Sequence, residues 1–154
     1  MGKANGGFEA ARRRLEPVLA RPRDREATLR DVVAVLHDEI PHYTWVGIYL
    51  LEGDTLTLHT FVGRPTPHAR IPVGEGICGA AITADATIVV DDVHSDPRYL
   101  ACSIETASEI VVPIRSAGRP VGEIDIDSDR PRAFGAEDRR FLEEIAGRLS
   151  PLFA

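Results

Sequence analysis

Residues 122–127 read Gly-Glu-Ile-Asp-Ile-Asp, a strict two-residue alternation of carboxylate and isoleucine. That is the period of a strand, not of a helix. Ile124 and Ile126 then share one face, and Glu123, Asp125 and Asp127 the other. The two faces demand different cover. The isoleucines need apolar packing, whereas carboxylates at this spacing repel one another, and strands disfavour Asp. A solvated acidic edge is one outcome; a cationic or hydrogen-bonding partner opposite the stripe is the other. A ligand ammonium group is one such partner.

The rest of the chain says what surrounds this strand. Residues 8–19 are rich in Ala, Leu and Arg and end near Pro22, which predicts a first helix. In 24–40, Leu29, Val32, Val33, Leu36 and Ile40 recur at helical spacing until Pro41 stops them. The pattern then becomes β-branched and aromatic in 43–51, breaks at Glu52-Gly53-Asp54 and resumes over 55–62, a hairpin. Residues 63–76, with three prolines and three glycines, read as a loop. A short Ala-rich helix over 78–84, a strand over 87–90 and a loop with room for one helical turn over 91–100 follow. Strands at 110–114 and 121–127 flank Ser116-Ala117-Gly118, and a last helix over 136–152 aligns Phe141, Leu142, Ile145 and Leu149. Consecutive strands with helices at the chain ends predict an α+β fold. Its central antiparallel sheet carries the N- and C-terminal helices on one face, and the irregular middle of the chain covers the other.

At 154 residues, with 44% hydrophobic and 27% charged residues, one globular core is expected. We take residues 1–7 as a flexible N-terminus and 8–154 as a single domain. A net charge of −6 and a pI near 5.3 give no footprint for nucleic acid. Arg12, Arg13 and Arg14 lie among acids on a predicted solvated helix face. No run of eighteen apolar residues spans a membrane and the N-terminus lacks a signal-peptide core, so a cytoplasmic protein is expected. In that compartment Cys78 and Cys102 stay reduced rather than forming a structural disulfide. His37, His42, His59 and His94 lack zinc-ligand spacing, so neither a metal nor a cofactor is expected. Trp45 is either a core residue or an aromatic wall of a pocket.

Several motifs then occur in order: Trp45-Val46-Gly47-Ile48-Tyr49, Gly74-Glu75-Gly76-Ile77-Cys78-Gly79, Asp91-Asp92-Val93, Tyr99-Leu100-Ala101-Cys102, Ser108-Glu109-Ile110-Val111-Val112-Pro113 and Asp125-Ile126-Asp127-Ser128. Singly they are weak; their order and spacing are jointly specific. From about Asp24 to the C-terminus the chain resembles the free methionine-(R)-sulfoxide reductase family, whose members are single GAF domains with a small-molecule pocket on the face opposite the terminal helices. The resemblance implies reduction of free methionine sulfoxide. Cys102 would be the nucleophile, becoming a sulfenic acid, and Cys78 the only internal thiol to resolve it as a disulfide. Thioredoxin or another thiol would reset the enzyme. Glu109, Asp125 and Asp127 match the family's substrate-binding carboxylates, and Trp45 would wall the S-methyl end. Because crowded carboxylates repel, one stays protonated, and Asp127 is our choice for the acid that protonates the departing oxygen.

One position departs from the family. Where many members carry a third cysteine, ten residues before Cys78, this chain has His68, expected to be a surface loop residue. Resolution then falls to Cys78 or to a solution thiol. Two readings without turnover stand beside the enzyme: a stand-alone GAF sensor of a small ligand, and a thiol switch pairing Cys78 with Cys102. A homodimer through the terminal helices is expected by analogy with other GAF proteins.

Overall fold

The two N-terminal helices form where the apolar spacing requires them. The structure, a computed structural model, describes residues 7–22, 24–101 and 103–154. Helix α1 (Phe8–Ala20) buries Phe8, Ala11 and Leu15. Helix α2 (Arg25–Glu39) starts on an Asp24 cap whose carboxylate accepts from the Ala27 N–H at 2.8 Å. It buries Leu29, Val32, Val33 and Leu36.

Six strands follow: β1 (Trp45–Glu52), β2 (Thr55–Val62), β3 (Arg70–Pro72), β4 (Ile88–Val90), β5 (Ser108–Ser116) and β6 (Arg119–Ser128). They form one sheet in the order β3-β2-β1-β6-β5-β4, with every pairing antiparallel. Helix α3 (Gly76–Ala84) lies between β3 and β4 in the chain, and α4 (Ala136–Leu149) closes the domain. The expected α+β architecture is therefore present, with three adjustments. The predicted 63–76 loop contains β3, a short edge strand whose Ile71 pairs with Leu56. Its prolines hid it, because an edge is where a strand tolerates Pro. The last α-helix stops at Leu149 and continues as a 3₁₀ turn through Ser150–Phe153, since Pro151 cannot prolong α-helical hydrogen bonding. Strands β5 and β6 also run further toward their turn than the apolar pattern shows.

Strand parity separates the two faces. Val46 and Ile48 of β1, Ile110, Val112 and Ile114 of β5, and Ile124 and Ile126 of β6 pack against α2 and α4, with Phe141, Leu142, Ile145 and Leu149 inserted among them. On the other face Trp45, Tyr49, Leu56 and Val111 meet Ile77, Cys78, Ala81 and Ile82 of α3. The expected solvation of the arginine run is also seen. Arg12 pairs with Glu144 at 3.1 Å and Arg14 with Glu39 at 2.9 Å, half-exposed contacts across helices. Among the described residues, no helix is long and apolar enough to cross a membrane.

Candidate functional site

Strand β6 lies at the centre of the sheet, between β1 and β5, so its acidic face is roofed rather than washed by solvent. Glu123 is fully inaccessible, and Asp125 and Asp127 are about 95% buried, which excludes the solvated edge. Register aligns their neighbours. Asp127 lies between Trp45 of β1 and Glu109 of β5; Asp125 between Gly47 and Val111; Glu123 between Tyr49 and Pro113. Glu109, also buried, is the register partner of Asp127 and works against the rise in the carboxyl pKa of both Asp125 and Asp127.

Helix α3 brings Cys78 onto the same acids. A Cβ at Gly79 would stand 2.7 Å from the Gly74 nitrogen, so the bare glycine lets the first turn of α3 lie against the 72–74 backbone. Cys78 then donates its S–H to Asp125 Oδ2 at 3.3 Å. Burial drives the Cys78 thiol pKa well up, and the charges of Asp125, Glu123 and Glu109 push it the same way. The carboxyls respond similarly. Glu123 is raised well above its ordinary value by burial, against the opposing effect of Cys78 and with the charge of Asp125 adding to the rise; Asp127 is raised first by burial and then by the charge of Asp125. Asp125 is also raised by burial, against the opposing hydrogen bonds of Glu109 and Cys78. Both Glu123 oxygens, Asp125 Oδ1 and Asp127 Oδ1 have no hydrogen-bond partner among the described residues. Among those residues, no lysine or arginine forms an ion pair with Glu123, Asp125 or Asp127.

Two small hollows flank the acid row. One, about 20 Å³, is bounded by Tyr49, His68, Ile71, Cys78, Glu109 and Asp125. The other, about 10 Å³, lies between Trp45, Arg64, Thr66, Ser103, Thr106 and Asp127. Trp45 is therefore both things the sequence left open, buried and a pocket wall. Its indole N–H donates to the Arg64 carbonyl at 2.9 Å, and its ring stacks on Phe61 at 5.6 Å. Gly47 makes room for that ring, since a Cβ there would lie 2.4 Å from it.

Cys78, Glu109, Asp125, Asp127 and Trp45 thus lie on one face of the sheet. Cys102 lies outside the described residues. His68 departs from expectation. It is half-buried, its Nε2 lies 3.0 Å from the Ala101 carbonyl oxygen, and its own carbonyl accepts from the Tyr49 hydroxyl at 2.7 Å. Tyr49 and Glu123 were not singled out as site residues, although both lie at the parity of the acids and Trp45 and that signal was available. A larger groove of about 520 Å³ between β5 and α4 is remote in character from this chemistry. Its charged groups are already matched, Arg115 with Asp85 at 2.7 Å and Arg139 with Glu143 at 3.1 Å.

The profile of the GAF domain family matches residues 24–151. The chain is similar to the free methionine-R-sulfoxide reductase of Escherichia coli (strain K12), 37% identical over 128 residues that span 83% of this chain and 77% of that protein. The X-ray structure of free methionine-R-sulfoxide reductase from Neisseria meningitidis in complex with its substrate superposes with a TM-score of 0.89. Its identity is 38%, over 95% of this chain and 87% of that one. The type II free methionine-R-sulfoxide reductase of Thermoplasma acidophilum is 44% identical, with a TM-score of 0.81 over 83% of this chain and 91% of that one.

Proposed function

The chain belongs to the GAF domain family and, within it, to the free methionine-R-sulfoxide reductases, and we propose that the acid-lined face of its sheet carries out that reduction by a two-thiol cycle. The Cys102 thiolate attacks the sulfoxide sulfur while a proton passes to the oxygen; the oxygen ends on Cys102 as a sulfenic acid and methionine leaves. The Cys78 thiol then attacks the Cys102 sulfur, forming a disulfide and releasing water. Two external thiols, from thioredoxin or a small reductant, restore both cysteines and are themselves oxidised to a disulfide.

The observation that carries this reading is the row of buried carboxylates. Glu109, Asp125 and Asp127 lie beside one another under cover, and Asp125 and Asp127 each keep one oxygen that lacks a partner among the described residues. A free amino acid brings an ammonium group to such a place; a peptide-bound methionine sulfoxide brings a neutral amide and leaves the acids unmatched. Trp45 supplies the apolar surface beside Asp127 for the S-methyl end. Asp127, held protonated by burial and by its acidic neighbours, is the group we assign to protonate the sulfoxide oxygen. Cys78 suits resolution rather than first attack. Its thiol pKa is driven up, which leaves little thiolate for the sulfoxide, while Asp125 stands at 3.3 Å to take its proton when the sulfenic acid forms.

We place the protein in the cytoplasm as one domain over residues 8–154, with dimerisation through the terminal helices. The deciding experiment supplies dithiothreitol or thioredoxin and follows free and peptide-bound sulfoxide, resolved by enantiomer. Repeated turnover of the free (R)-sulfoxide alone is expected. Binding without product would mark a sensor, and consumption of a single equivalent a thiol switch; either would end the proposed cycle.

A further inference from the structure

Cys78, Asp125 and Glu109 come from α3, β6 and β5, far apart in the chain, yet one ligand atom from each lies within 4.8 Å of the others. The Cys78 Sγ to Asp125 Oδ2 separation is 3.3 Å. Four-coordinate zinc, with bonds of about 2.3 Å to sulfur and about 2.0–2.2 Å to carboxylate oxygen, sets sulfur–oxygen edges near 3.5 Å. The spacing already seen is therefore close to that of a ligand set. A second observation is independent of that spacing. Asp125 Oδ1, in a side chain about 95% buried, has no hydrogen-bond partner among the described residues, and neither has either oxygen of the fully buried Glu123 on the same strand face. Asp125 thus brings to the hollow an acceptor oxygen that the described residues do not fill.

We propose that in the reduced protein Cys78, Asp125 and Glu109 form a site for a borderline-soft divalent cation of the Zn²⁺ type. The sulfur selects the metal class: thiolate favours zinc and its neighbours, whereas magnesium and calcium prefer oxygen alone. Histidine spacing was no guide, because none of the three donors is a histidine and none lies at motif distance from another. Metal binding stands on this donor set by itself. A consequence that rests on the function proposed above is competition, since a cation on Asp125 and Glu109 occupies the place of the substrate's ammonium group and ties up the resolving thiol.

The test uses the whole protein kept reduced by a phosphine and titrated with Co²⁺. A near-ultraviolet thiolate-to-cobalt charge-transfer band is expected, displaced by one equivalent of Zn²⁺. Cys78→Ser should abolish the band, Asp125→Asn should weaken binding by about tenfold or more, and Cys102→Ser should keep the band. Circular dichroism identifies folded variants, and Asp125→Asn carries the test if Cys78→Ser does not fold. No band in the parent protein, a band that survives Cys78→Ser, unchanged affinity in Asp125→Asn, or loss of the band in Cys102→Ser would overturn the assignment. Relief of zinc inhibition by free methionine sulfoxide tests the competition separately. The cobalt band needs no turnover, so failure of the metal site and failure of the reductase cycle are told apart.

Discussion

Glu123 is the residue whose burial is hardest to reconcile with stability alone. Its carboxyl pKa is raised well above the ordinary 4.5 by burial, with Cys78 opposing and the charge of Asp125 adding to the rise. A raised acid is fully tolerated below its unfolded pKa and costs stability as pH climbs toward the folded value. Glu123→Gln should therefore raise stability at pH 7 by about 1–3 kcal/mol and flatten its pH dependence, measured as Tm from pH 4 upward, about the point where an unfolded carboxyl ionises. Asp127→Asn should lower kcat far more than it raises KM, because it removes a proton donor while leaving a polar wall. Equal kinetics would withdraw its assignment as the acid. Cys102→Ser should abolish turnover with any reductant, whereas Cys78→Ser should recover part of it when small thiols replace the internal one. The acidic stripe and its parity were legible in the sequence, because alternation alone fixes a face; Trp45 was placed near it only by the resemblance. That Cys78 would stand on Asp125 was not. Forty-seven positions separate them, and only the seating of α3 on the 72–74 backbone brings them together. His68 was misplaced for a related reason, since no local pattern says which part of a proline-rich loop folds back over a cavity.

At the scale of elements, one cluster joins the start of β1 to the start of α4. Asp138 Oδ1 lies 2.7 Å from His42 Nε2 and 2.8 Å from the Tyr43 hydroxyl, while Oδ2 accepts from the Gly135 N–H at 2.9 Å. Burial alone would raise the Asp138 pKa. The hydrogen bonds of His42, Gly135 and Tyr43 outweigh it, and the carboxyl ends below its ordinary 3.8. A depressed folded pKa contributes stability above the unfolded value and loses it as pH falls through the folded one. Asp138→Asn should therefore destabilise by about 1–3 kcal/mol at pH 7. The gap from the parent should narrow below pH 4, roughly the unfolded carboxyl pKa, in thermal melts of both proteins. A gap that stays constant into acid would show that charge plays no part in this junction. The helices and the two hairpins were legible from period and turn residues. The short strand β3 was not, because Pro72 and its neighbours carry the composition of a loop even where they pair at a sheet edge.

For the whole molecule, the two faces of the sheet contribute unequally. The isoleucine face is closed by helices and dense apolar packing, and the acidic face leaves buried oxygens without partners among the described residues. A ligand that supplies a cation to the acidic face should then stabilise the entire domain. Free methionine sulfoxide at about a hundredfold its Kd should add about 2.7 kcal/mol, visible as a rise in Tm. The N-acetylated compound, without the ammonium charge, should leave the melt unchanged. An equal shift with both would detach recognition from the carboxylates. The division into a helix-covered side and a side left to the irregular middle of the chain was legible from element order, and the resemblance put the ligand on the second.

In strand β6 Ile124 and Ile126 enter the packing, whereas Asp125 and Asp127 line the two hollows. Positions 125 and 127 can thus mutate toward another guest molecule while 124 and 126 keep the architecture standing. A scaffold wired in this way can diversify its chemistry one alternate residue at a time, which makes it suited to hosting unrelated small molecules in different lineages.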